Sequence, residues 1–303
     1  MARLGTALCA AALCAVALVL ALIGAGAAAA EAAVADLRAF AATADAEVER
    51  LGRRIWQNEA AGRRDRLVHW LPGERHLSLG IGHVIWYPEG ARDRFHESFP
   101  DLVAFLRRRG VRLPAWLTPG AACPWRTRAE LLAATADPRL IELRELLAAT
   151  VTDQVAFLVE RLASALPAIL AAAPDETARA RLAERLGRIL YAADGSIAPE
   201  GVYALVDYVN FKGEGTAPAE RYEGEGWGLL QVLEAMTDRS GAELAAFADA
   251  AAAVLTRRVA LAPGERREAR WLEGWLKRVA SYAADRRLEA EAASDPPAER
   301  ASS

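Results

Sequence analysis

Apolar residues recur at intervals of three and four along the segment from Val34 to Ile55. This spacing places them on one face of a helix. It predicts an amphipathic helix of about six turns that ends near Glu59 to Gly62.

From residue 75 to residue 87 the pattern changes to the alternation typical of a strand. A Leu-Pro-Gly turn signal at 71–73 stands just before it. The two predicted faces carry Leu77, Leu79 and Ile81 on one side and Ser78, Gly80 and Gly82 on the other.

Helical periodicity then resumes and continues to the C-terminal region. A helix is predicted before Gly110, and capping-box pairs at Thr127/Glu130 and Ser240/Glu243 indicate two helix starts. Trp271, Trp275, Val279 and Tyr282 mark the expected buried face of the last helix. Further helices are predicted at 151–172, 176–193, 199–210, 240–260 and 265–288.

These elements predict a predominantly helical α+β chain with a small β-hairpin after the first long helix. We expect one domain with a two-lobed cleft over residues 31–288. The polar, proline-containing segment 289–303 predicts a disordered tail.

The first thirty residues predict an export signal. Arg3 precedes a long uncharged apolar run, and alanines at 28–30 suit a signal peptidase. The run is also long enough to stay as an N-terminal membrane anchor. We therefore expect an exported protein, periplasmic or secreted, with inner-membrane anchoring if the segment is not cleaved.

Composition narrows the class of protein. The formal charge of −3 argues against a general nucleic-acid-binding protein. Beyond the apolar segment Cys123 is the single cysteine, so the remaining chain forms no internal disulfide.

Two glutamates near the predicted strand are candidates for acid catalysis. Glu59 lies at the C-terminal end of the first helix, where the helix dipole and nearby Trp56 and Trp70 disfavour an ionised carboxylate. A protonated carboxyl is what a general acid requires. Glu74 lies in the following turn and is a candidate second carboxylate. From position alone, a solvated side chain at the end of a surface helix is the favoured interpretation of Glu59, whereas a solvent-exposed turn residue and a catalytic carboxylate are equally compatible with the position of Glu74.

Ser78 and His83 lie on the predicted strand itself. Beside Gly80 and Gly82, the Ser78 hydroxyl would hold a water close to a bound sugar. The alternative is that the two glycines mark a bulge or tight packing against a helix. His83 fits a packed, hydrogen-bonded histidine better than a catalytic base. It remains a candidate substrate contact, together with Trp86 and Tyr87.

Residues 206–236 form the second informative segment, with a glycine-rich centre between two helical patterns. A long polar loop of this kind is more often functional than structural. Its candidate substrate-binding residues are Asn210, Lys212, Glu214, Tyr222, Trp227 and Gln231. The alternatives are a calcium-like acidic loop, although the segment lacks EF-hand spacing, and a solvated connection.

Spacing arguments predict neither a metal nor a cofactor. His69, His76, His83 and His96 lack the paired spacing of a zinc helix. No phosphate-binding glycine loop is present, because the Gly-rich stretch at 224–230 has neither a preceding strand nor a Lys-Ser/Thr ending.

The hexapeptide Ser78-Leu79-Gly80-Ile81-Gly82-His83, after a helix-terminal Glu59, resembles the Thr-Ile-Gly-Ile-Gly-His hairpin of phage-type lysozymes. The order of helix, glutamate and hairpin is similar to that of the wider lysozyme-like superfamily, which includes lytic transglycosylases and chitosanases. The resemblance implies a lysozyme-like two-lobed fold in which Glu59 is the general acid and Ser78 takes the place of the threonine.

The sequence departs from the phage enzymes at one catalytic position. Pro72 stands where they have an aspartate six residues before the threonine, and Glu74 is the nearest carboxylate. The resemblance implies cleavage of β-1,4-linked amino-sugar polymers, most simply peptidoglycan, by hydrolysis or by transglycosylation through the substrate's own hydroxyl. The alternatives are a non-catalytic lysozyme-like module that binds cell-wall glycan or a protein partner, and an exported helical scaffold.

Overall fold

In a computed structural model of the chain, the structure describes residues 28, 30–43, 46–60, 62–93, 96–118 and 120–294. The predicted export signal lies almost entirely outside these residues. The described chain is α+β and predominantly helical with a small antiparallel sheet, which confirms the predicted class.

Contacts divide the chain into two compact units. We call Ala35–Ser164 the N-terminal unit, and Ala165–Ser303 with the residues up to Val34 the C-terminal unit. The single domain predicted over 31–288 spans both.

The N-terminal unit begins within α1, a helical segment at residues 30–42, and ends within α6. Three short strands lie between α2 and α3. In order, its elements after α1 are α2 (Ala46–Ala60), a 3₁₀ helix (Arg64–Leu67), β1 (Val68–His69), β2 (Leu77–Leu79), β3 (Val84–Trp86), α3 (Phe99–Arg108), α4 (Arg128–Ala133), α5 (Pro138–Ala149) and α6 (Val151–Ala171).

The first predicted helix is present but interrupted. Thr43 is not helical, and the helix that carries Glu59 begins at Ala46. Val48, Leu51 and Ile55 are all buried on one face of α2, as their spacing predicts.

The three strands form an antiparallel sheet in the order β1-β2-β3. Val68 pairs with Leu79 and His69 with Ser78, so the sheet has one strand more than the predicted hairpin. The predicted alternation is wrong beyond Leu79. All three residues of β2 are buried, and residues 80–83 form a turn in place of further strand.

The C-terminal unit contains the later helices and a second, two-stranded ribbon that the sequence pattern did not predict. Its elements are the end of α6, α7 (Glu176–Leu190), α8 (Pro199–Lys212), a 3₁₀ helix (Pro218–Glu220), β4 (Arg221–Tyr222), β5 (Glu225–Gly226), α9 (Leu229–Ala235), α10 (Glu243–Leu261), a 3₁₀ helix (Gly264–Arg266) and α11 (Ala269–Ser294).

Three details of the helix predictions need correction. The side chain of Ser240 does not cap α10, because that helix starts at Glu243 with Ala242 as its N-cap. Trp271 is 44% exposed, although Val279 and Tyr282 on the same helix are buried as predicted. The tail predicted from residue 289 is helical as far as Ser294. By contrast, Thr127 caps α4 by accepting from the Glu130 amide.

Among the described residues, α6 is the one helix long and apolar enough to cross a membrane. Of its most apolar window, 67% is buried inside the protein. Such burial is what a core helix shows, since its apolar side chains already have protein neighbours.

Candidate functional site

The carboxyl group of Glu59 and the ring of His83 form a close pair in the N-terminal unit. Nδ1 of His83 lies 3.0 Å from Oε2 of Glu59. The Glu59 side chain is 6% exposed, whereas that of His83 is 34% exposed. His83 donates this hydrogen bond when Glu59 is ionised and accepts it when Glu59 carries the proton. Glu59 is therefore a buried carboxyl with a fixed partner and not the solvent-exposed helix end that its position alone allowed.

His83 reaches Glu59 through an uncommon backbone conformation. Its φ of +45° lies in the left-handed region, where non-glycine residues are uncommon although histidine is among those enriched. The turn that contains it brings the ring to the last turn of α2. Strain of this kind persists where surrounding contacts hold it, and it concentrates at functional sites.

The two glycines of the motif pack the turn against α6. A Cβ on Gly80 would collide with Oε1 of Gln154, and one on Gly82 would lie 2.7 Å from Cδ2 of Leu158. Gln154 holds the turn directly, because its Oε1 accepts from the amide of Ile81 at 3.0 Å. The glycines thus serve close packing against a helix and leave no open face for a sugar.

His69 lies beside His83. Their ring centroids are 4.7 Å apart in an edge-on arrangement. Burial, and next the charge of His83, lower the pKa of His69 to about 4. Nδ1 of His69 lies 3.0 Å from the carbonyl oxygen of Arg66, which only accepts, so Nδ1 carries the proton of the neutral ring.

Glu74 has a different histidine partner. Its Oε2 lies 3.4 Å from Nε2 of His76, and its side chain is 31% exposed. The His76 ring packs edge-on against Tyr87 with centroids 5.6 Å apart. The two candidate carboxylates thus each have a histidine partner, Glu59 with His83 and Glu74 with His76, and Asp101 and His96 form a further, exposed pair. In the sequence, this cluster was indicated by the seven-residue spacing of His69, His76 and His83.

Three predicted site residues belong to the core. Ser78 is 6% exposed, and Trp86 and Tyr87 are each 1% exposed. Trp86 donates from Nε1 to the carbonyl of Ala121 and its ring packs against Phe99. Trp86 and Tyr87 therefore offer no surface on which a sugar ring would stack, and we correct both assignments.

The predicted substrate-binding residues between 210 and 231 all lie in the C-terminal unit. Asn210 and Lys212 are in the last turn of α8, and Glu214 follows in the loop. Gln231 holds this loop, since it accepts from the Gly228 amide and donates to the carbonyl of Gly215. Much of the polarity that suggested a binding loop thus forms internal hydrogen bonds.

Tyr222 and Trp227 belong to an aromatic and charged cluster. Their ring centroids are 4.5 Å apart, and Tyr222 donates from its hydroxyl to Glu268. Arg258 donates two hydrogen bonds to the carboxylate of Glu268, and its Cζ lies 4.0 Å from the centroid of the Trp227 ring. Trp227 is buried, so it contributes to this packing and does not form an open sugar platform.

A shallow cleft of about 410 Å³ also opens in the C-terminal unit beside β4 and β5. Gln231 and Glu234 contribute to its walls, with Arg221, Glu225 and Arg257. Burial raises the pKa of Glu234, and Arg221 opposes that shift. Arg257 and Glu225 neutralise each other through two hydrogen bonds, so the cleft has no dominant sign of charge.

No group of three or more His, Cys, Asp or Glu side chains within the described ranges is arranged to hold a metal ion. Comparison of the chain with family models, with curated proteins and with solved structures found no match.

Proposed function

We propose that this protein is an exported glycosidase with a lysozyme-like fold that cleaves β-1,4-linked amino-sugar polymers such as peptidoglycan, with Glu59 as the general acid. The observation that carries the proposal is the Glu59/His83 pair. A carboxyl group with a 6% exposed side chain lies at the end of a helix, and a histidine in a strained turn holds it. Burial of this kind is how proteins keep a carboxyl group available as a proton donor.

In the proposed reaction, Glu59 gives its proton to the glycosidic oxygen as the bond to the sugar breaks. His83 keeps the carboxyl group in one orientation through its Nδ1 contact at 3.0 Å. A fixed orientation matters because a general acid must lie within hydrogen-bonding reach of the leaving oxygen.

The opposite face of the sugar needs a nucleophile. Glu74 is the proposed second carboxylate, since its side chain is 31% exposed and His76 lies beside it. In that case a water molecule attacks the sugar, and the glycan is hydrolysed. Without help from Glu74, a hydroxyl of the substrate attacks and leaves an anhydro sugar end.

The alternative is a non-catalytic lysozyme-like module that binds cell-wall glycan or a protein partner. Burial of Ser78 favours it, because this predicted catalytic side chain exposes too little surface to act on a polymer. The enzyme and a glycan-binding module both require contact with cell-wall glycan, so these two differ in cleavage and not in binding.

Incubation of the protein with purified peptidoglycan, followed by mass spectrometry of the soluble fragments, tests the proposal. We expect new glycan ends that are either reducing or anhydro, and a loss of activity of at least about 100-fold in Glu59→Gln. Glu49→Gln is the matched control, because Glu49 lies on the same helix with a 54% exposed side chain.

Three outcomes separate the interpretations. Cleavage that Glu59→Gln abolishes and Glu49→Gln retains supports the enzyme. Sedimentation of the protein with peptidoglycan and no released fragments supports the binding module. If the protein neither cleaves peptidoglycan nor sediments with it, both the enzyme and the glycan-binding module are overturned.

Export is the remaining part of the proposal, and it depends on the apolar segment within the first thirty residues. Cell fractionation with N-terminal sequencing distinguishes a cleaved signal from an anchor. Recovery of the intact chain in the cytoplasm would contradict it.

A further inference from the structure

Lysine is rare in this chain. Of its 37 lysine and arginine residues, only Lys212 and Lys277 are lysines. Lys277 is exposed on α11, whereas Lys212 is 7% exposed. A chain that supplies nearly all its positive charge as arginine thus has a lysine at a buried position. An amine differs from a guanidinium in that it readily loses its proton and becomes a nucleophile.

Aromatic rings surround the Lys212 amine. Nζ lies 3.0 Å from the centroid of Trp275 and 4.0 Å from that of Phe211. These two rings pack edge to face, with centroids 6.2 Å apart. The rings displace water from the amine, which removes the solvation that favours an ammonium ion.

Two arginines flank the amine and form ion pairs with the nearby carboxylates. Arg278 donates to both oxygens of Asp207, at 2.8 Å and 2.7 Å. Arg258 donates to both oxygens of Glu268, each at 2.8 Å. Within the part of the chain that the structure describes, Lys212 itself has no ion-pair partner.

The charges around Lys212 sum to zero when its own amine is neutral. Arg258 and Arg278 contribute two positive charges, and Glu268 and Asp207 contribute two negative ones. Burial above all, together with the charges of Arg258 and Arg278, lowers the pKa of Lys212 to about 6, and Glu268 partly opposes this shift. At pH 7 the amine is therefore mostly neutral, and its lone pair is available.

We propose that Lys212 is a covalent binding site for an aldehyde with an apolar or aromatic body. The nitrogen of Lys212 attacks the carbonyl carbon and forms a C–N bond. The carbonyl oxygen leaves as water with the two amine hydrogens, and an imine remains. Trp275 and Phe211 contact the body of the aldehyde, and their exclusion of water favours the imine over its hydrolysis. This reactivity is independent of Glu59 and of glycan cleavage.

The two lysines provide a built-in comparison for the test. The full chain is incubated at pH 7 with benzaldehyde and cyanoborohydride, which reduces the imine to a stable secondary amine. Peptide mass spectrometry then follows the modification of Lys212 and Lys277 over time. We expect Lys212 to react about tenfold faster or more, as a desolvated amine does, and its rate to rise through about pH 6.

Two variants complete the experiment. Lys212→Met removes the amine without adding a buried charge and is expected to abolish the reaction, while Lys277→Arg retains the fast phase. Circular dichroism checks that each variant is folded. Faster modification of Lys277, equal rates for the two lysines, or modification of Lys212 only in urea would each overturn the proposal.

Discussion

Nδ1 of His83 lies 3.0 Å from Oε2 of Glu59, and His83 makes this contact with a φ of +45°. The two residues are separated by a 3₁₀ helix and two strands along the chain. Their contact depends on the turn at 80–83, which α6 holds in place through Gln154 and Leu158. The pair thus joins the end of a helix to a tight turn, and its geometry depends on packing around both.

The fit of the turn against α6 predicts unequal effects for two alanine substitutions. Gly80 and Gly90 have φ values of +68° and +74°, so alanine is strained at either position. A Cβ on Gly80 also collides with Gln154, whereas one on Gly90 meets nothing within 4 Å. We expect urea denaturation to show a loss of about 1 kcal/mol for Gly90→Ala and about 2 to 3 kcal/mol for Gly80→Ala. Equal losses would contradict the packing role.

The backbone of His83 predicts which replacements the turn accepts. Asparagine tolerates the left-handed region, and a β-branched residue does not. Both His83→Asn and His83→Val remove the imidazole. We therefore expect His83→Val to unfold at lower urea concentration, with an additional loss of about 1 to 2 kcal/mol. Indistinguishable midpoints would show that the strain is absent.

The pKa of His69 predicts a loss of stability in acid. Its folded value of about 4 lies below the 6.5 of an unfolded histidine, so the unfolded chain binds more protons between these values. Stability therefore falls as the pH drops from about 6.5 to about 4. We expect thermal denaturation to show that His69→Gln removes about 2 kcal/mol of this dependence. His96→Gln is the control, because His96 has an 80% exposed side chain; a similar effect there would refute the assignment.

A buried ion pair in the C-terminal unit predicts a large effect on stability. The Asp207 side chain is fully buried and accepts hydrogen bonds from Arg278 and from the hydroxyl of Tyr282. Asp207→Asn leaves the arginine charge without its counter-ion, and we expect a loss of about 3 to 5 kcal/mol in denaturant unfolding. Asp249→Asn breaks an exposed pair with Arg239 and is expected to cost far less. A comparable loss in both variants would be evidence against the burial argument.

Long periodic segments were predictable because one-sided burial of a helix leaves a repeating apolar pattern. Val48, Leu51 and Ile55 are examples, as are the helices near 151, 176, 199, 240 and 265. Short elements were harder to predict from periodicity. β1 and β4 have two residues each, which is too few to show any periodicity.

The site was predictable in part. The segment from Glu59 to His83 stood out in the sequence, and the structure brings those two residues together. Ser78, Trp86 and Tyr87 were predicted to contact water or substrate, but alternation assigns residues to faces without showing what covers each face. Both faces of β2 are buried, so the alternation had no exposed side to indicate.

The sequence by itself determined the helical class, the order of the main elements and the unusual residues at 59–83. It did so because these properties depend on neighbours along the chain. The tertiary structure decided that His83 pairs with Glu59, that Gly80 and Gly82 pack against α6, and that the Lys212 amine lies on Trp275. Those contacts join residues far apart in sequence, and burial, which controls the protonation of His69 and Lys212, exists only once the chain is folded.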